Sequence, residues 1–276
     1  MPGKFIYDLC YAVFSGFTAF FGVDASAHQR LLELLFGGGQ VDPWMILALR
    51  IGALAALLFT CGPRLRRILR ERRLSLQTRR LKRQPDPMAQ LDLKLVRTAM
   101  LPVLAGVLLY SRGNSWVSGF LPLALVFLLN AAVQFAPRLL NSGNKDGRSV
   151  SPLDAILLGG SSILGALPGF SRMGCMLTVG AARGLDRIYA LEMALVLSVP
   201  ALIGLLVLDV IAVMAAQVAL SFVALVLYIF YAVLAFLGGW ASIVLMRFLA
   251  QKIGFTGFAY YSLGLALFSF IFYLAI

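Results

Sequence analysis

The stretch Leu167 to Gly174 reads Leu-Pro-Gly-Phe-Ser-Arg-Met-Gly and sets Arg172, a permanent cation, between two long apolar segments. A guanidinium is costly to bury in such surroundings, so its presence points to an anionic partner. Gly169 and Gly174 leave room for backbone amides to approach a ligand, and the apolar segment that follows would offer a helical N-terminus to an anion. The planar fork of arginine donates two hydrogen bonds at once to phosphate oxygens, so Arg172, with Ser171 beside it, is a candidate phosphate cradle. The competing explanation is an internal ion pair with Asp24 or Asp154. A second polar cluster, Asp24-Ala-Ser-Ala-His28, interrupts the apolar stretch from Phe5 to Phe36. There His28, the single histidine, is the candidate base. Ser26 could supply a hydroxyl or cap a turn, and Asp24 could orient His28, bind a metal or form a local turn. Arg50, alone in another apolar segment, is either a substrate contact or a partner of Asp24 or Glu33.

Elements able to hold these residues follow from composition. The chain has 276 residues, is 61% hydrophobic and contains several apolar runs; runs of about twenty residues describe a polytopic helical membrane protein. The expected architecture is all-α, a single integral membrane domain over 1–276. Six spans are predicted: Trp44 to Cys61, Thr98 to Tyr110, Trp116 to Ala136, Tyr189 to Asp209, Val218 to Leu249, and Gly257 to Ile276. Of 24 basic residues, twelve lie between Arg64 and Arg97, against Glu71, Asp86 and Asp92. Flanked by spans, the region 62–97 reads as a basic cytoplasmic loop rather than a nucleic-acid patch. Leu65, Ile68, Leu69 and Leu76 could let it lie on an anionic leaflet. Trp44 and Trp116 then fall at outer ends of spans, and Tyr260 and Tyr261 near an inner one. Cys10, Cys61 and Cys175 form no paired motif, which argues against disulfide frameworks and Cys/His zinc sites. Lys4, the apolar stretch Phe5 to Val23 and Ala25-Ser26-Ala27 imitate a cleavable leader, although Asp8 and the aromatics suit a first hairpin better.

Two apolar segments are broken in the middle, at Gly22 to His28 and at Pro168 to Gly174. Each reads as a re-entrant hairpin, because non-helical backbone at membrane depth survives only where protein or a cavity surrounds it. Ordinary spans with polar kinks are the alternative. Each hairpin is followed by three spans, an odd number, so two repeats, about 1–138 and 150–276, would be inverted relative to each other. Their tips, His28 and Arg172, would then meet near the midplane.

At these residues the chain resembles the undecaprenyl pyrophosphate phosphatase family, the bacitracin-resistance type of lipid-carrier phosphatase. Pro168-Gly-Phe-Ser-Arg-Met-Gly174 is similar to the family's P-G-x-S-R-S-G. Gly184-Leu-Asp-Arg187, Ser198-Val-Pro200 and Phe255-Thr-Gly-Phe-Ala-Tyr260 resemble later family segments. At the amino end, Gly16, Thr18, Phe20 and His28 match a pattern whose two glutamates are replaced here by Ser15 and Ala19. The resemblance implies hydrolysis of C55 isoprenoid pyrophosphate to its monophosphate, lipid-carrier recycling for the cell wall, and a place in the bacterial inner (plasma) membrane. It also implies a divalent metal such as Mg²⁺ or Ca²⁺, whose most obvious ligands would be the missing glutamates. Catalytic residues would be His28, Ser26, Asp24 and Arg172, with Arg172, Ser171, Gly169, Gly174 and Arg50 binding substrate. Expected partners are the polyprenyl pyrophosphate or phosphate lipid and the membrane, with a possible homodimer and no nucleic acid. An inactive homologue that binds or transports the carrier lipid is the alternative.

Overall fold

A computed structural model of the chain describes residues 2–36, 41–77, 86–113, 119–139, 143–167, 169–252 and 255–275. Trp116, Pro168 and four basic residues, Arg79, Arg80, Lys82 and Arg83, lie outside the described residues. The first half contains α1 (Pro2–Thr18), α2 (Ala25–Phe36), α3 (Pro43–Gln77), α4 (Pro87–Gly113) and α5 (Phe120–Phe135). The second contains α6 (Pro152–Leu164), α7 (Arg172–Ala182), α8 (Arg187–Ala216), α9 (Phe222–Lys252) and α10 (Gly257–Ala275). Helices α3, α4, α8, α9 and α10, and α5 together with the 3-10 turn after it, are long and apolar enough to cross a membrane. Their outward residues, among them Phe59, Leu101, Leu108 and Phe222, are large, apolar and exposed, as surfaces facing lipid must be.

Helices α2 and α7 are different. With 12 and 11 residues, each rises only about 16 to 18 Å, well short of a hydrocarbon core of about 30 Å. Local chemistry sets their limits. Asp24 accepts the Ala27 amide at 2.7 Å and starts α2; Ser171 accepts the Gly174 amide at 3.0 Å and starts α7. Ser151 and Asp154 form a reciprocal capping box that opens α6. Burial alone would push the Asp154 carboxyl up, but the Ser151 amide and the Arg183 guanidinium at 2.5 Å hold it below its usual range. Asp154 is thereby committed to Arg183 and Lys145, and is not the partner of Arg172.

The two halves pack in corresponding ways: α1 lies on α9 as α6 lies on α4, α3 meets α9 as α8 meets α4, and α5 packs along α10. Small residues make the close crossings. A Cβ on Gly16 of α1 would stand 2.3 Å from the Ala235 carbonyl of α9, and one on Gly159 of α6 would stand 2.6 Å from the Ala99 carbonyl of α4. Such approaches are how helices gain contact in lipid, where no hydrophobic force drives them together and close packing at small residues takes its place.

The region 62–97 is not a loop over most of its length. Helix α3 runs on through its basic residues to Gln77, and α4 begins at Pro87 rather than near Thr98. Arginine, leucine and lysine are good helix formers, so hydropathy marks where the apolar part ends and not where the helix does. Pairing between the extensions supports them: Arg64 donates to both oxygens of Asp92 at 3.0 and 3.1 Å, and Gln90 donates to Glu71 at 3.3 Å. Beside them Glu192 of α8 lies 4.0 Å from Arg64 and receives Arg247 of α9 at 2.8 Å.

Candidate active site

The tips of the two broken segments touch through Asp24. Its Oδ2 accepts three hydrogen bonds, from Ser26 Oγ at 2.6 Å, the Ala27 amide at 2.7 Å and the Gly169 amide at 2.7 Å, the last reaching across from the second tip. Ser171 adds a weaker link, its hydroxyl lying 3.4 Å from the Phe21 carbonyl. Helix α5 holds both tips from one side. Asn130 accepts the Ser171 amide at 3.3 Å, while Gln134 donates to the Gly22 carbonyl at 2.5 Å. Neither Asn130 nor Gln134 was singled out from the sequence, although two amides one helical turn apart in an apolar span are a readable signal.

Gly169 has no substitute in this arrangement. Its φ is +93°, and a Cβ there would lie 1.9 Å from Val126 Cγ1. Gly169→Ala is expected to cost about 2 to 3 kcal/mol through backbone strain and overpacking together. Thermal unfolding in detergent would register this as a lowered midpoint. Adding Val126→Ala should recover only part of the loss, since it relieves the contact and not the φ.

One cavity, of about 640 Å³, opens beside the joined tips. Asp24, Ser26, Arg50, Ser171 and Arg172 all line it, together with Arg30, Glu33, Tyr110 and Asp209. The N-terminal turns of α2 and α7 both face it, through Ala25 to Ala27 and Ser171 to Met173. Two positive helix ends and a guanidinium therefore converge on one space. The backbone of Arg172 is set by close packing on α6, where a Cβ on Gly165 would stand 2.5 Å from Arg172 Cα. Its side chain makes no ion pair or hydrogen bond among the described residues. Gly169 and Gly174 do not line the cavity; Gly174 makes way for Gln134, whose Nε2 would be 2.5 Å from a Cβ there.

Arg50 faces the cavity but is already engaged. It forms a two-pronged pair with Asp209 of α8, and its guanidinium lies 5.9 Å from the centre of the Tyr110 ring. Neither Asp24 nor Glu33, the carboxylates expected from sequence, is its partner. Glu33 instead receives Arg30 at 2.7 Å.

His28 is on the other side of its helix. Ser26, Gln29, Arg30 and Glu33 form the cavity face of α2, Ala27 lies at its border, and Leu31 packs with Leu123 and Phe127 of α5 and Ala266 of α10. His28 is 5% exposed and does not line the cavity. Its ring is stacked at 5.7 Å on Tyr261 and lies edge-on to Phe127 at the same separation. Nδ1 donates to the Asp24 carbonyl at 2.5 Å, because a carbonyl only accepts; in the neutral ring Nε2 therefore accepts the Tyr261 hydroxyl at 2.9 Å. Both nitrogens are thus spent on holding the first tip in shape.

A second cavity, of about 540 Å³, lies on the far side of Gln134 and Gly174. Leu185, Asp186, Arg187, Phe255, Thr256 and Phe258 line it, so two of the later motif segments support the tips from behind. Phe258 meets Phe21 edge-on at 4.7 Å, and Asp186 caps α8 by accepting the Tyr189 amide at 2.9 Å.

A divalent metal finds few ligands in the first cavity. Among the described residues no three His, Cys, Asp or Glu side chains come together as a cation site. Asp24 Oδ2 carries three donors, Glu33 is held by Arg30 and Asp209 by Arg50. The other Asp24 oxygen offers a single ligand, against the six or more oxygens that Mg²⁺ or Ca²⁺ takes. The carboxylates present do not fit a resident metal.

Compared with known proteins, the chain matches the family described as bacitracin resistance protein BacA over residues 8–268. It is 30% identical over 209 residues to a protein of Nocardioides sp. named undecaprenyl-diphosphatase, covering 72% of each chain. A protein of the same name from Carboxydothermus hydrogenoformans is 25% identical over 254 residues, covering 92% of this chain and 91% of the relative. Another, from Methanobrevibacter smithii, is 29% identical over 206 residues, covering 72% of this chain and 74% of the relative.

Proposed function

Because the chain belongs to the bacitracin resistance protein BacA family, we propose that it hydrolyses undecaprenyl pyrophosphate to undecaprenyl phosphate and inorganic phosphate. The observation that carries this reading is the convergence on one cavity of two helix N-termini and Arg172, a cation with no protein partner among the described residues. Phosphoryl transfer asks chiefly for positioning and for positive charge around the transferring group, and that is what the cavity offers. The protein acts as a multi-pass component of the bacterial plasma membrane, recycling the lipid carrier used in cell-wall synthesis. Its two halves are read as inverted repeats, with α1–α2 and α6–α7 as re-entrant hairpins. The corresponding packing of α1 on α9 and α6 on α4 supports that reading.

Ser26 is the nucleophile in this scheme. Its hydroxyl already donates to Asp24 at 2.6 Å, which leaves the oxygen lone pairs free for phosphorus and gives the proton a destination. Oγ attacks the terminal phosphorus, the bridging P–O bond breaks, and undecaprenyl phosphate leaves while Asp24 takes the hydroxyl proton. Water then attacks the phosphoserine, the Oγ–P bond breaks, Asp24 returns its proton to Ser26 Oγ, and inorganic phosphate leaves carrying the oxygen and protons of the water. Arg172 and the first turn of α7 hold the phosphate oxygens throughout. His28 is a positioning residue that fixes the Asp24 backbone.

The experiment is release of inorganic phosphate from C55 pyrophosphate by the purified full-length protein in detergent. Stoichiometric conversion to the monophosphate is expected. Bound but unchanged substrate after long incubation, with and without Mg²⁺ or Ca²⁺, would replace hydrolysis with carrier-lipid binding.

A further inference from the structure

Among the described residues three arginines line the first cavity, and they differ in how firmly they are held. Arg50 is locked by two bonds to Asp209, with both side chains only 15% and 13% exposed. Arg172 makes no hydrogen bond or ion pair among the described residues. Arg30 stands between these extremes. Among the described residues its one partner is Glu33, three residues on in the same helix, and the side chains are 41% and 24% exposed. Ion pairs of that spacing and exposure hold weakly. Its Nε, moreover, is buried and has no hydrogen-bond partner among the described residues, an unmet donor on a side chain that lines the cavity.

Among the described residues, the three carboxylates lining the same cavity are all engaged, Asp24 by three donors, Glu33 by Arg30 and Asp209 by Arg50. An incoming pyrophosphate therefore meets free donors, whereas an incoming divalent cation finds one open carboxylate oxygen, on Asp24, and must break existing bonds to gain another. Resting on the proposed hydrolysis, we propose that this chain binds the pyrophosphate headgroup directly through Arg172 and Arg30, with no bridging divalent cation. Arg172 and the α7 N-terminus take one phosphate; Arg30 turns Nε and a terminal nitrogen to the other and releases Glu33. The fork geometry of Arg30 suits two oxygens of one phosphate, which a lysine cannot match. The headgroup thus takes over as counterion for both guanidiniums, and the two carboxylates absent at Ser15 and Ala19 are not required.

The test measures binding of a non-hydrolysable farnesyl methylenebisphosphonate to the full-length protein in detergent, by calorimetry, alongside phosphate release from C55 pyrophosphate. Excess EDTA is expected to leave both affinity and rate within about threefold of their values with Mg²⁺ or Ca²⁺. Arg30→Gln should weaken binding about tenfold in EDTA, Arg30→Lys should fall between it and the wild type, and Glu33→Gln should bind at least as tightly as wild type. Monodisperse elution of each variant guards against misfolding. Release that stops in EDTA and returns with added cation would overturn the metal-free site while leaving hydrolysis standing. Wild-type affinity in Arg30→Gln would remove Arg30 from the site. Tight, Arg30-dependent binding in EDTA with no release of phosphate would leave this inference intact and count against hydrolysis, and no binding under any condition would sink both.

Discussion

Replacing Arg172 by alanine is expected to reduce phosphate release from C55 pyrophosphate by about 10²- to 10³-fold, the range seen when one preorganised charge donor is taken from a transferring group. The same substitution should leave the thermal midpoint unchanged or raised. A residue that served the fold would behave in the opposite way. Arg172 makes no hydrogen bond or ion pair among the described residues, and its backbone position is set by packing on Gly165. Truncation therefore removes an uncompensated cation from an enclosed space, and such a cation costs stability unless an anion accompanies it. Arg50→Ala should show the contrary pattern. It strands Asp209 without its counterion, so a fall of about 3 kcal/mol in stability is expected. Activity and unfolding measured on both variants separate a substrate cation from a structural one. A destabilised Arg172→Ala with undiminished turnover would remove Arg172 from the reaction.

Much of this arrangement could be read from the chain. The long apolar windows marked six membrane-length helices, because only helices satisfy their own backbone in lipid and their length is set by its thickness. The interruptions at Gly22 to His28 and Pro168 to Gly174 marked the places where two short helices begin. What windows could not mark was the end of a helix that leaves the apolar layer, as α3 does through Arg64 to Arg73, since arginine changes the solvent preference and not the backbone. Pairings between helices were equally hidden. Arg50 and Asp209 are single charges in separate spans, and nothing in their sequence positions says they stand at the same depth. Charge balance was the available clue, because a lone buried arginine and a lone buried aspartate each need a partner.

The place of His28 depended on a smaller detail. Ser26 and His28 are two residues apart, and a pair so spaced can share a site only if the segment between them is not helical. The helix begins at Ala25, which turns the two side chains about 200° from each other. Ser26 faces the cavity and His28 faces Phe127 and Tyr261. Had α2 begun a turn later, the same five residues would have formed a compact tip with the histidine free to reach inward. The capping bond from the Ala27 amide to Asp24 decides between these two arrangements.

That orientation leads to the second large effect. Ser26→Ala is expected to lower phosphate release by about 10²- to 10⁴-fold, the contribution of an activated nucleophile and its proton acceptor, while costing only about 1 kcal/mol for the hydrogen bond to Asp24. Asp24→Asn should lose rate to a similar degree. An asparagine oxygen can still accept the Ala27 and Gly169 amides, so the joined tips survive while the proton acceptor does not. The two losses should not add, because each removes one member of a pair that acts as a unit. His28→Asn supplies the contrast. Its amide can replace the bond to the Asp24 carbonyl but not the stacking on Tyr261, so stability should fall while the rate drops about tenfold or less. Phosphate labelling of the wild-type protein with substrate should find phosphoserine at position 26 after rapid quenching, and none in Ser26→Ala. A His28→Asn variant that folds normally yet is as inactive as Ser26→Ala would return the proton to the histidine, and would require α2 to rotate by about half a turn before the substrate reacts.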